Sequence, residues 1–450
     1  MNRVKMPNVA GKFYPSQKEE LLENLQKFKN NRKDDYNYFS RAIIVPHAGY
    51  MFSGQLAYNG FSYLNRTVKN IFIIAPTHHK SVNNLALADY EEWETPLGKI
   101  SANTNIQKEI IEKFACEYSE DAFSQEHAIE VQIPFIQFLF ENVKIVPILV
   151  GNDDAEKVLK IIKYYYKNPQ NAFVISSDLS HFLKIEDAKK IDTLTARMIE
   201  DNNIQGFRFE QACGAVPICA LTEFSNHENY SLIRVGLTNS GLTTGDTSKV
   251  VGYGSWFLYE GEKNDFIENN FAPKILDIVR KTIDAKLSGK SEVNITNYLP
   301  YPPILDSDGA CFVTLEINGQ LRGCIGSVLA HTSLLIDLIK NSYNAAFADP
   351  RFAPLTRDEY DKTDISVSLL SAPKPINFKD EEDLLNQIQP NIDGIIIQDK
   401  GKQALYLPSV WKQLSEPKMF LNSLKRKAGL APEHFSQTFE AYRFKANYIK

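Results

Sequence analysis

The stretch Ala42-Ile43-Ile44-Val45-Pro46-His47-Ala48-Gly49-Tyr50 decides the fold: four consecutive apolar residues run straight into a proline and a histidine. The construction recurs. Ile71-Phe72-Ile73-Ile74-Ala75 leads into Pro76-Thr77-His78-His79, and Phe173-Val174-Ile175 leads into Ser176-Ser177-Asp178-Leu179-Ser180-His181. Continuous rather than alternating apolarity marks strands buried on both faces. Further runs of strand length lie at 145–150, 172–175 and 250–258, with helix-like stretches such as 18–28 and 154–166 between strands. Alternating buried strands and helices predict a layered α/β domain with a largely parallel sheet.

Open α/β sheets build their sites at the carboxyl ends of strands. Three strands here deliver His47, the pair His78 and His79, and Asp178 with His181 to such ends. Imidazole and carboxylate suit divalent first-row metals, and two His with one carboxylate suit non-haem iron(II). Four of the eight histidines fall just beyond three strands, which scatter through loops would seldom produce. A shared polar site is therefore expected.

His127 lies in Ser124-Gln125-Glu126-His127-Ala128-Ile129-Glu130, where a helix would place His127 and Glu130 on one face, with Pro134 kinking it or marking its early turns. It reads either as an orienting or proton-carrying partner of a metal or as part of a solvated, acid-rich helix N-terminus. Cys213 precedes Gly214 and Pro217, which would end or redirect a helix. Its thiolate suits a soft or borderline metal or acts as a nucleophile, and core packing is the competing reading.

The 450 residues carry 50 Lys and Arg against 55 Asp and Glu, a net charge of −5 that leaves no basic excess for a nucleic-acid partner. No apolar run reaches membrane-spanning length and residues 1–15 lack the apolar core of a signal peptide, so no membrane association is expected. The five cysteines form no Cys-x-x-Cys pair, which fits a reducing, cytoplasmic setting. Cys116 and Cys219 read as packing residues.

A polar stretch at 259–270 predicts two domains, 1–262 and 263–450, with a helical pattern resuming at 273–287. The second domain reads as α+β: a strand at 311–317, an Asn318-Gly319 hairpin turn, a return strand at 320–327, a helix at 333–347, strands at 364–370 and 394–398, and a helix at 419–428 stopped by Gly429. Arg322 and Cys324, two apart on the return strand, read as an anion anchor beside a thiol or as an Arg paired with Asp349 or another acid. Lys425-Arg426-Lys427 reads as a solvated helix end complementing the dipole.

With these residues in view, the first segment resembles the Memo family, a relative of class III extradiol dioxygenases, across residues 4–260. Its carriers are Val9-Ala10-Gly11-Lys12-Phe13-Tyr14-Pro15, Pro46-His47-Ala48-Gly49-Tyr50, Ala75-Pro76-Thr77-His78-His79, Thr95-Pro96-Leu97-Gly98, Glu126-His127-Ala128-Ile129-Glu130, Ser176 through His181, and Cys213-Gly214. The resemblance implies a pocket where His47, His79 and Cys213 bind iron or copper, with Asp178 as a further ligand or neighbour and His127 and His181 in support. In the related dioxygenases the third ligand is a glutamate. A thiolate is softer and favours copper(I), zinc or a more covalent iron site, so whether such a pocket turns over substrate stays open.

Leu321-Arg322-Gly323-Cys324-Ile325-Gly326-Ser327, residues 345–355 and residues 364–371 make the second segment resemble the AMMECR domain. Together the two resemblances match a pair of proteins of the AmmeMemoRadiSam system joined in one chain. They imply a separately encoded radical S-adenosylmethionine protein as partner, because the chain lacks a Cys-x3-Cys-x2-Cys motif, and a small-molecule or protein substrate. Three functions follow: a metal-dependent, oxidoreductase-like protein; a non-catalytic scaffold for the radical enzyme; or a thiol-dependent enzyme using Cys213 with His79 or His181 as base.

Overall fold

The computed structural model describes residues 3–32, 38–82, 85–151, 155–289 and 295–450. The chain divides into two compact units, Met1–Lys263 and Asn264–Lys450.

The first unit is built on a nine-stranded sheet: β1 (Ala42–Val45), β2 (Asn70–Pro76), β3 (Leu85–Leu87), β4 (Glu117–Tyr118), β5 (Lys144–Val150), β6 (Asn171–Ser176), β7 (His181–Leu183), β8 (Ser231–Asn239) and β9 (Val250–Tyr259). The spatial order is β7-β9-β1-β6-β2-β5-β3-β4, with β8 also paired to β9. Strands β1, β6, β2 and β5 run parallel. Their apolar residues are almost wholly enclosed, and each full burial of an Ile or Val contributes about 1.5–3 kcal/mol.

The expectation of a largely parallel sheet needs correcting. Parallel order holds at the centre and between β3 and β4, whereas β9 pairs antiparallel with β1, β7 and β8, and β3 antiparallel with β5. Strand β8 carries no sequence signal as clear as β9, because Arg234 and Gly236 interrupt its apolar run. Arg234 is nonetheless buried, forked onto Glu200 at 2.6 and 2.9 Å. Helices α1 (Lys18–Asn31) and α2 (Ala155–Tyr165) lie at or near expected places, and a further helix, α3 (Ala215–Glu228), was not anticipated. The expected start of α2 at Asp154 lies outside the described residues.

Two local expectations fail for identifiable reasons. Gly214 and Pro217 begin a helix rather than end one: Gly214 precedes α3 and Pro217 sits in its first turn, where a missing N–H costs little. The helix expected to begin at Pro273 begins ten residues earlier, since α4 (Lys263–Leu287) runs through Pro273.

The second unit holds two four-stranded antiparallel sheets. One contains β10 (Ala310–Ile317), β11 (Gln320–Gly326), β12 (Thr363–Leu370) and Ala446–Ile449; the other contains Lys374–Pro375, Gly394–Asp399, Lys402–Tyr406 and Glu440–Phe444. Asn318 and Gly319 turn β10 into β11 with φ of 53° and 73°, the pair of positive values that a tight two-residue hairpin demands. Helix α5 (Leu334–Phe347) packs on β10 and β11. Helix α6 (Pro417–Lys427) is followed by Gly429 at φ 74°, and Leu430 N–H donates to the Lys425 carbonyl at 2.9 Å, closing its end. Contrary to expectation Lys425 is not solvated: it is fully buried, paired with Glu381 at 3.0 Å, because it lies on the inner face of α6 with Leu421 and Leu424. Among the described residues no helix is long and apolar enough to cross a membrane.

Candidate metal centre

The loops after β1 and β6 are tied to each other before any side chain is considered. Ser177 N–H donates to the Val45 carbonyl at 2.9 Å, and His47 N–H donates to Asp178 Oδ1 at 2.8 Å. The turn before α3 joins them, with Cys213 N–H on the Asp178 carbonyl at 3.3 Å and Gly214 N–H on Ser177 Oγ at 2.8 Å. A Cβ on Gly214 would stand 2.6 Å from that of Ser177, so only glycine lets this turn approach. Cys213 Sγ thereby comes to 3.3 Å from His47 Nε2, with Asp178 Oδ2 4.0 Å from the same nitrogen.

Three imidazoles converge here. One ring nitrogen each from His47, His78 and His127 lie within 4.8 Å of one another. The hydrogen-bond network decides which nitrogens are free. Ser176 Oγ donates its one proton to the Ala128 carbonyl at 2.7 Å, so toward His47 Nδ1, 3.0 Å away, it can only accept. Nδ1 of His47 therefore carries the proton, and Nε2 presents its lone pair toward Cys213 and Asp178. Gln132 supports the arrangement, donating through Nε2 to Ser176 Oγ and the Pro46 carbonyl.

Glu126 does the same for His78 and lies beside His127. Its Oε1 accepts from His78 Nδ1 at 2.9 Å and lies 3.3 Å from His127 Nδ1. Both carboxylate oxygens also take backbone N–H bonds, Oε1 from His127 and Ala128 and Oε2 from His78. Burial pushes the Glu126 carboxyl up, but these bonds outweigh it and hold the group at about 2. The carboxylate on His78 Nδ1 leaves that ring's Nε2 free as a donor, the pattern by which proteins orient metal-binding histidines, while toward His127 it stands close without a side-chain hydrogen bond.

The surroundings disfavour the charged form of His47, His127 and His181. Burial, with the neighbouring histidines, pushes His47 well down; burial lowers His127 to about 4 despite Glu126, and lowers His181. Burial raises Asp178 to about 7 against the His47 and Ala48 backbone N–H bonds. Burial, with Asp178 alongside, pushes the Cys213 thiol far up.

The structure thus brings His47, His127, Asp178 and Cys213 together. His79 is exposed, its ring centre 6.4 Å from that of His127, and it is His78 that joins the cluster. His181, at the start of β7, is partly buried and close enough to depress His47. The shared helix face of His127 and Glu130 does not form. His127 lies in a turn, and Glu130 opens a 3-10 turn, its carboxylate taken by the Asn8 and Val9 N–H groups and by Tyr14 Oη at 2.7–2.9 Å. Pro134 marks the first turn of the helix Ile133–Leu139. Glu130 thereby pins the N-terminal segment, whose Phe13 ring lies 4.7 Å from that of His127.

His78, Glu126 and Ser176 were not among the expected ligands. The sequence does carry a partial sign of Glu126, a carboxylate immediately before the site histidine. In the second unit the β10–β11 register slips at Arg322, breaking the alternation that would align it with Cys324. Arg322 forks onto Glu359 at 3.0 and 3.1 Å, whereas Asp349 pairs with Arg351.

Residues 5–257 match the Memo family, described as Memo-like protein, and residues 276–449 match AMMECR1. The chain is similar to a MEMO1 family protein of Thermoplasma volcanium, 31% identical over 270 residues that span 56% of this chain and 97% of that protein. It is also similar to one from Aquifex aeolicus, 32% identical over 265 residues with the same two shares. Among solved structures, an uncharacterized protein PH0010 from Pyrococcus horikoshii is 29% identical, covers 39% of this chain and 88% of its own, and has a TM-score of 0.36. With the match extending over more than half its length and its relatives spanned almost end to end, the chain belongs to the Memo family, joined here to an AMMECR1 domain.

Proposed function

We propose that the first unit is a metal-dependent, oxidoreductase-like centre related to the extradiol dioxygenases, with iron or copper as the resident metal and zinc as an alternative. The observation that carries this is the convergence of three imidazoles, with one ring nitrogen each within 4.8 Å of one another and Nδ1 of His47 and His78 already hydrogen-bonded, beside a thiol and a carboxylate. The donor set fits a first-row metal: His47, His78 and His127 would hold it, with Cys213 and Asp178 as further ligands and His79 able to enter by turning its loop. A bound metal there supplies Lewis-acid and redox chemistry. Asp178 and His181 stand beside it as proton-carrying groups, and the N-terminal segment pinned by Glu130 shields His127 through Phe13.

Anaerobic reconstitution with iron(II), copper(I) and zinc, followed by elemental analysis, tests this reading. Stoichiometric metal in the native protein and its loss in His47→Ala are expected; sub-stoichiometric metal with all three ions overturns it. A thiol-dependent enzyme is the second reading, with Cys213 Sγ 3.3 Å from His47 Nε2, although burial pushes that thiol up and works against a resting thiolate. The joining of Memo and AMMECR1 domains in one chain supports a further proposal, that a separately encoded radical S-adenosylmethionine protein acts with it. Co-purification of that enzyme with native protein and with His47→Ala would favour a scaffold; loss of its activity with the variant alone would favour chemistry at the centre.

A further inference from the structure

The second unit contains a cavity of about 440 Å³ with mostly apolar walls, including Phe312, Leu405 and Val410, onto which Cys324, Lys427 and the pair Asp349 and Arg351 also open. The Leu-Arg-Gly-Cys-Ile-Gly stretch shapes it. A Cβ on Gly323 would stand 2.1 Å from the Ala345 carbonyl oxygen, so this face of β11 lies directly against α5. Cys324, next along the strand, points the other way, its Sγ 3.3 Å from Thr314 Oγ1 on β10. A Cβ on Gly326 would stand 2.2 Å from the Phe312 ring, so glycine there leaves Phe312 its place in the wall.

The charges are unequal. Arg351 is neutralised by Asp349, which it grips through Nε at 2.9 Å and Nη2 at 2.7 Å while also donating to the Cys324 carbonyl. Lys427 has no such counter-charge. Its Nζ donates to the Leu405 carbonyl at 3.0 Å and lies 4.9 Å from the Tyr406 ring, and among the described residues no carboxylate pairs with it. An apolar cavity of ligand size with one uncompensated cation at its rim is complementary to a small organic anion.

We propose that this cavity binds a small monocarboxylate with an apolar body, its carboxylate on Lys427 and its body between Phe312, Leu405 and Val410, against the Cys324 thiol. Iodoacetate and iodoacetamide are suitable probes, one anionic and one neutral, with Cys324 modification in the full chain followed by peptide mass spectrometry and glutathione as the reference thiol. At low salt the iodoacetate-to-iodoacetamide rate ratio at Cys324 should exceed that of glutathione by about fivefold, falling toward it as salt screens the cation. Benzoate should slow the modification and benzamide should not. Lys427→Met should bring the ratio to the glutathione value and Lys427→Arg should restore it. A native ratio equal to that of glutathione, absence of benzoate protection, or a preference that survives in Lys427→Met overturns the proposal. Should Lys427→Met fail to fold, the native ratio and benzoate protection decide it.

Discussion

Glu126 shows how much of the centre depends on one side chain outside the ligand set. It fixes the tautomer of His78 and stands 3.3 Å from His127 Nδ1 while satisfying three backbone N–H groups. Glu126→Gln removes the charge and one acceptor, so metal affinity should fall about 10–100-fold, as read by competition with a chromophoric chelator. Unchanged affinity would mean that packing alone orients the rings. The two adjacent histidines give a sharper contrast: His78→Ala should weaken metal binding more than His79→Ala. The reverse order would show that His79 enters the ligand set when metal binds. Residue types at strand ends were enough to anticipate His47 and Asp178 as neighbours, whereas Cys213 was drawn into the site only by the family resemblance. They were not enough to choose between His78 and His79, because neither strand nor helix periodicity constrains which ring turns inward in the loop after β2.

At the scale of elements, close backbone approach sets the glycines. Gly323→Ala places a methyl against the Ala345 carbonyl, and α5 must retreat from β11. A loss of about 1–3 kcal/mol in urea unfolding is expected, as for other overpacked contacts. A neutral substitution would mean that the strand and helix shift without penalty. The ion pair between Arg322 on β11 and Glu359 in the short helix Arg357–Tyr360 gives a pH prediction. The hydrogen bonds from Arg322, helped by the Thr356 backbone, hold Glu359 down to about 2, below its unfolded value near 4.3. Its contribution is therefore fully present above about pH 4.3 and lost as pH falls through 2. Native protein should lose stability across this acid range faster than Arg322→Gln does; parallel curves would show that solvent screening leaves the pair without effect. The hairpin at Asn318-Gly319 and the stop at Gly429 were legible because their residues carry the backbone conformation with them. The start of α3 at Gly214 and the continuity of α4 through Pro273 were not, since Gly and Pro punctuate helices at either end and the choice depends on what packs beyond.

Over the whole molecule, metal binding should act on the unit that holds the cluster. A ligand at 100 times its dissociation constant stabilises the binding state by about 2.7 kcal/mol. Hydrogen exchange in peptides covering β1 and β6 should slow accordingly on metal addition, and an unchanged exchange rate there would contradict a metal site bounded by those strands. The sequence by itself determined the two-part organisation, the buried central strands and the delivery of His and Asp to their ends. Those follow from local apolar runs, turn chemistry and the residues that come directly after each strand. Tertiary structure alone decided that parallel order is largely confined to the sheet centre, that Glu130 anchors the N-terminal segment while Glu126 serves the histidines, and that Lys425 is buried. It also decided which imidazole nitrogens face one another. Decisive partners in those outcomes lie far along the chain, as Val9 does from Glu130, His78 from Glu126 and Glu381 from Lys425, and hydrogen bonds across such separations leave no period in the sequence.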